Sequence, residues 1–413
     1  MSETAIAVRR PSSIMRVLRH PAATAESLES AALVIGAAVF VVGGFVAWLV
    51  FLGRDLPISG PGSLGQFVAI GAAAVTVVAF VLGRLSLRSR TSARAAAGTD
   101  DPLPGLDAAG ARIHWFDVAA IVLAHAFIAL LGWVGIADLL EQSFQGAVVF
   151  TIPGAMLAGV GLAVTAYVVF LSSVHLTPMM LSLVLALFLV VGALASMLSS
   201  SDPLWWQMNL SALGMTNDIS SLAFNLTLII AGAIVTTIAR YATAAVPTAT
   251  HVERRGRAIV RGGLILIGVF LACVGIFPVD EFFVVHNTVA TGMAVAYAVL
   301  VIGLRWFIPS MPRVFILLGY VYVGVIVVLA VFFATGYYNL TAVELVAAVL
   351  IFSWIILFLR SSGAMHAPTR GRATDAAAAV APTDAAGTIT TDAPSTTKGP
   401  DAEASDPVLE PSI

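Results

Sequence analysis

The chain is predicted to be an all-α, polytopic membrane protein with about ten transmembrane helices and both termini in the cytoplasm. Two observations lead there. Hydrophobic residues make up 59% of the 413 positions and charged residues only 11%, whereas a soluble domain carries about 25% charged residues to dress its surface. Once the apolar runs are drawn, every Lys and Arg of the 21 except Arg54 falls on one side of the membrane. That is the asymmetry the positive-inside rule produces in cytoplasmic loops.

A helix needs about 20 apolar residues to cross the ~30 Å hydrocarbon core. The stretches that qualify are Ala31–Leu52, Leu64–Leu82, Phe116–Leu140, Gly146–Leu171, Leu176–Leu198, Ser220–Ile238, Ile259–Ile276, Val284–Ile302, Val314–Phe333 and Thr341–Leu359. The first is too long for a cleavable signal's apolar region and reads as a signal anchor. The fourth and fifth are separated only by Ser172–His175, with Thr177 and Pro178 just beyond. Without that break, Gly146 to Leu198 would form about 80 Å of helix, far more than one span.

The charges support this count. Arg9 to Arg19 lie in the N-terminal arm, Arg84 to Arg112 after the second span, and Arg240 to Arg261 around the loop after the sixth. Arg305 and Arg313 follow the eighth span and Arg360 the tenth. The opposite loops carry Asp55, Glu141, Asp202, Asp218, Asp280 and Glu281. Residues 1–30 form a cytoplasmic arm, and 31–171 a four-helix membrane region with a linker at 84–114. Residues 174–361 form a six-helix membrane domain, and 362–413, rich in Ala, Thr, Pro and Asp without aromatics, a disordered tail. One Lys (Lys398) against otherwise all-Arg basic residues, with abundant Ala and Gly, suggests a high-GC bacterial genome and hence the bacterial plasma (inner) membrane.

Several function classes drop out. The Arg clusters are short and membrane-adjacent, which orients a protein and does not track a nucleic-acid backbone. Cys273 is the only cysteine, so there is no intramolecular disulfide and no Cys-based metal site. No cofactor motif is present.

Polar residues at membrane depth are informative because a central charge costs about 2.5–3.5 kcal/mol to insert. Asp117, Asp138, Asp280 and Glu344 fall at helix ends, where water is within reach. His125 lies deep in the third span. It reads either as a neutral imidazole bonded to a neighbouring helix or as a proton relay. A denser polar set belongs to the outer side: Asp202, Ser211 and Asp218 between the fifth and sixth spans, Asn225 early in the sixth, and Asp280, His286 and Asn287 opening the eighth. Glu344 opens the tenth. Ser221, Asn225, Gly232 and Thr236 share one helical face, and Thr288, Gly292 and Ala296 another, patterns that also serve as interhelical contacts.

Residues 174–361 resemble an uncharacterised bacterial six-helix membrane family, domain of unknown function 998. The resemblance is carried by Asp202-Pro203, Ser211-Ala212-Leu213-Gly214, Phe224-Asn225 with Gly232, and Phe277-Pro278-Val279-Asp280 followed by His286-Asn287. More distantly the region is similar to the Frag1/DRAM/Sfk1 group of six-helix eukaryotic membrane proteins, implicated in lipid-anchor remodelling and autophagy-linked signalling. Neither resemblance implies a mechanism or catalytic residues.

The expected function is non-enzymatic binding or scaffolding. An outward-facing polar crevice of Asp202, Ser211, Asp218, Asn225, Asp280, His286, Asn287 and Glu344 would take a lipid headgroup, a small amphiphile or a partner helix. A secondary transporter is the alternative, although the midplane holds almost no ionisable group to couple ions. An intramembrane metal-dependent lipid hydrolase is a second alternative, short of the three protein ligands that zinc hydrolases use. The lipid bilayer is the one certain partner of such a chain, and the sequence sets no oligomeric state.

Overall fold

In the computed structural model, residues 25–96, 114–215, 219–244, 246 and 248–364 are described. The expectations for residues 1–24 and for most of the C-terminal tail lie outside them. Ten long helices account for nearly all of the described residues: α1 Ala25–Phe51, α2 Leu64–Ala96, α3 Trp115–Ser143, α4 Thr151–Val174, α5 Pro178–Leu198, α6 Ile219–Ala244, α7 His251–Ile276, α8 Phe283–Phe307, α9 Arg313–Ala334 and α10 Leu340–Ala364. Each contains a segment long and apolar enough to cross a membrane. The protein is an all-α polytopic membrane protein. Strand structure among the described residues is limited to β1 Leu56–Pro57 and β2 Val148–Val149, an antiparallel pair linking the α1–α2 and α3–α4 loops, with Leu56 opposite Val149.

The helix ends follow local chemistry. α4 stops at Val174, and α5 begins with Pro178 in its first turn while the Thr177 hydroxyl accepts the Met180 N–H. Proline suits a first turn because its missing N–H would lack an intrahelical partner there. At α7, Thr250 and Glu253 form a reciprocal capping box. Several helices overrun their apolar cores, α2 and α7 furthest. α2 continues 14 residues past Leu82 into the expected linker, and α7 starts before Ile259, taking Arg254, Arg255 and Arg257 into its first turns. Apolarity marks where lipid gives way to water, while Ala, Arg and Leu carry the helix on beyond that boundary.

Successive helices alternate in direction, so Arg84, Arg240, Arg254, Arg313 and Arg360 share one end of the bundle, hereafter the arginine-rich end. α1 packs along α4, and α2 lies against both α3 and α4. On the other side α6 packs on α5 and α7, α7 on α8, and α10 on α5 and α9. α3 joins the two groups through α5 and α6, and one buried apolar cluster runs from Leu28 in α1 to Leu359 in α10.

The backbones of α6 and α7 approach each other closely. A Cβ added at Gly232 would lie 2.4 Å from the Gly268 carbonyl oxygen, so only glycine allows that contact. The small-and-polar face of α6 noted in the sequence is therefore turned on α7, and Gly292 of α8 lies against Phe270 of the same helix. Outward surfaces are rich in Val, Leu and Phe, as at Val41, Leu317 and Val328, which suits a lipid environment.

Candidate functional site

The α5–α6 connection at the arginine-poor end is built from two short 3-10 turns, Trp205–Gln207 and Leu210–Gly214. Such turns leave backbone groups without helical partners, and buried polar groups of this kind need other ones. Side chains of α10, of the residue before it and of α6 supply them. A Glu344 carboxylate oxygen of α10 accepts the Leu210 N–H at 2.6 Å. Asn339, just before α10, donates from Nδ2 to the Trp206 carbonyl at 2.9 Å, and Asn225 of α6 donates to the Gly214 carbonyl at 3.1 Å.

His286 of α8 is 4% exposed and makes the fourth attachment. Its Nδ1 is 2.7 Å from the Phe277 carbonyl oxygen and its Nε2 is 3.0 Å from Ser211 Oγ. A carbonyl only accepts, so Nδ1 bears the proton, and in the neutral ring Nε2 accepts from the Ser211 hydroxyl. Phe277 caps the C-terminus of α7. The imidazole thus ties the end of one helix to the loop of another.

The fastened loop roofs an apolar slot of about 300 Å3 between α5, α6 and α10. Ala193, Leu213, Phe224, Thr227, Ala348 and Phe352 are among its walls. Thr227 spends its hydroxyl on its own helix, donating to Ala223 O at 2.6 Å. At the junction of loop and α10, Asn209 Oδ1 and Thr341 Oγ1 are buried without a hydrogen-bond partner. Thr341 is one turn from Glu344, and Asn209 adjoins Leu210.

Of the residues expected to line a crevice, Ser211, Asn225, His286 and Glu344 converge on this loop. The others do not join them. Asp202 accepts the Leu204 N–H at 2.8 Å, shaping the start of the loop. Asn287 is exposed and donates to Phe283 O of its own helix at 2.8 Å, and Asp280 is exposed. Asp218 lies outside the described residues.

His125 is 7% exposed, with Nδ1 2.8 Å from the Ile121 carbonyl and Nε2 2.8 Å from Ser172 Oγ of α4. By the same reasoning Nδ1 bears a proton, and the ring is bonded to its own helix and to the neighbouring one.

A polar cluster that sequence reasoning missed closes the arginine-rich end. Asp117, expected at a hydrated helix end, is fully buried. Its Oδ1 pairs with the Arg240 guanidinium of α6 and accepts from Thr237 Oγ1 at 3.1 Å. Oδ2 accepts from Tyr241 OH at 3.2 Å and from the His114 N–H at 3.3 Å. Four donors satisfy this buried carboxylate. A signal was present: Asp117 and Arg240 lie on the same membrane side at matching helix ends.

Among the described residues, no three His, Cys, Asp or Glu side chains gather to hold a metal ion. No family model, no curated protein and no solved structure matches the chain.

Proposed function

We propose that the protein is a non-enzymatic, lipid- or small-amphiphile-binding component of a bacterial plasma membrane, with its arginine-rich end in the cytoplasm. The aliphatic part of the ligand occupies the slot between α5, α6 and α10, and its polar part meets Asn209 and Thr341 at the outer rim. The observation that carries this reading is the apolar slot under a loop held by Glu344, His286 and Asn225. Asn209 Oδ1, next in sequence to the slot-lining Leu210, and Thr341 Oγ1, at the start of α10, are buried without a partner and are the groups a hydrogen-bonding head would satisfy. The reading keeps the resemblance to domain of unknown function 998, because Phe224-Asn225, Phe277-Pro278 and His286 include the groups that hold the loop.

The test is native mass spectrometry of the purified protein from its host membrane, beside an Ala348→Phe variant whose ring enters the slot. Wild type is expected to retain a lipid or amphiphile adduct, and the variant to lose it by about tenfold at unchanged melting temperature. Equal adducts on both proteins would sink the proposal.

A further inference from the structure

A second cavity, of about 640 Å3, lies between α3, α4 and α5. It exists because α3 and α4 both pack on α2 but scarcely on each other. Two side-chain bonds cross the gap as rungs: Trp133 Nε1 donates to Thr165 Oγ1 at 2.9 Å, and His125 meets Ser172. These groups are satisfied by each other, so the remaining walls present aliphatic surface, as at Leu183 and Val168. Gly132 keeps the space open, since a Cβ added there would meet nothing within 4 Å.

The cavity's extent is informative. Along α4 its walls run from His175, at the arginine-rich end, to Val164. At 1.5 Å rise per residue that is about 16 Å, close to half of the ~30 Å hydrocarbon core. It has the depth of a single leaflet. His175, which lines this end of the cavity, is exposed, its Nδ1 directed at the Leu171 carbonyl at 3.0 Å. At the same helix end Arg84 reaches the Ser173 carbonyl at 3.4 Å, with Arg88 exposed one turn further along α2. Basic clefts between transmembrane helices suit anionic headgroups.

We infer that this cavity is a site for an anionic glycerophospholipid of the leaflet at the arginine-rich end, one acyl chain between α3 and α4 and its phosphate beside His175 and Arg84. The site is separate from the slot under the α5–α6 loop and stands or falls on its own.

The full-length protein is reconstituted into phosphatidylglycerol or phosphatidylcholine nanodiscs doped with the same lipid bearing a diazirine on one acyl chain, then photolysed and mapped by peptide sequencing. In phosphatidylglycerol, labels are expected to concentrate on 128–136 and 164–168, and to fall about tenfold in Gly132→Leu. Leucine fills open space and favours helix over glycine, so this variant is expected to fold. Ala348→Phe leaves the labelling unchanged. Labels spread evenly over the outward faces of α1 and α9, or equal labelling of wild type and Gly132→Leu, would overturn the site. Equal labelling from phosphatidylcholine would overturn the assignment of an anionic headgroup, which His175→Gln tests separately by an expected loss of lipid preference.

Discussion

The two ends of the bundle are closed by different chemistry. At the arginine-rich end a fully buried carboxylate, Asp117, is bound by a guanidinium, two hydroxyls and a backbone N–H, and these bonds join α3 to α6. At the opposite end the α5–α6 loop is held by one carboxylate, two amides and an imidazole, each making a single bond to the loop. The first arrangement is a charge-paired joint between helices. Its members depend on one another, because an unpaired charge has no acceptable alternative in that setting. The second distributes its attachment over bonds that can be lost singly, and beneath it lies empty apolar volume.

The largest effect expected from breaking this contrast is at Arg240. Arg240→Ala strands Asp117 and should cost about 3–5 kcal/mol, read as a lowered unfolding midpoint in detergent. Amide exchange across Leu210–Gly214 should stay as in wild type, and accelerated exchange there would mean that the two ends are coupled. His286→Ala comes next. It leaves the Phe277 carbonyl and the Ser211 hydroxyl unsatisfied, at about 1–3 kcal/mol, and should speed exchange across Leu210–Gly214 specifically. Unchanged exchange would show that the remaining bonds hold the loop alone. Smallest are Asp280→Ala and Asn287→Ala, both exposed, which should stay within about 0.5 kcal/mol of wild type and bind the same adducts. A marked loss of adduct in either would restore them to the site.

Much of this contrast could not be read along the chain. The ten helices were legible because each span announces itself through solvent preference, and the turn at Ser172–His175 through Thr177 and Pro178. The start of α7 was written in Thr250 and Glu253, a capping signal that apolarity counting ignores. The length of α2 was hidden for the same reason, since its last turns are helix in water. Ser211, Asn225, His286 and Glu344 could be grouped because topology placed them at one membrane face. That they grip a loop, and do not line an open crevice, depends on which way each side chain turns. Asp117 and Arg240 were each assigned to water by their position near a helix end. Their pairing, and the burial of Asp117, arise from the packing of α3 on α6, a contact between residues 123 positions apart.

That separation has a consequence during synthesis. A chain elongating at about 5–20 residues per second delivers Arg240 roughly 6–25 s after Asp117. Through that interval α3 must wait with its carboxylate turned to water or to a lipid headgroup, and a chain cut short after α4 would keep it there. The first four helices are thus born incomplete, and the arrival of α6 is the event that lets them close.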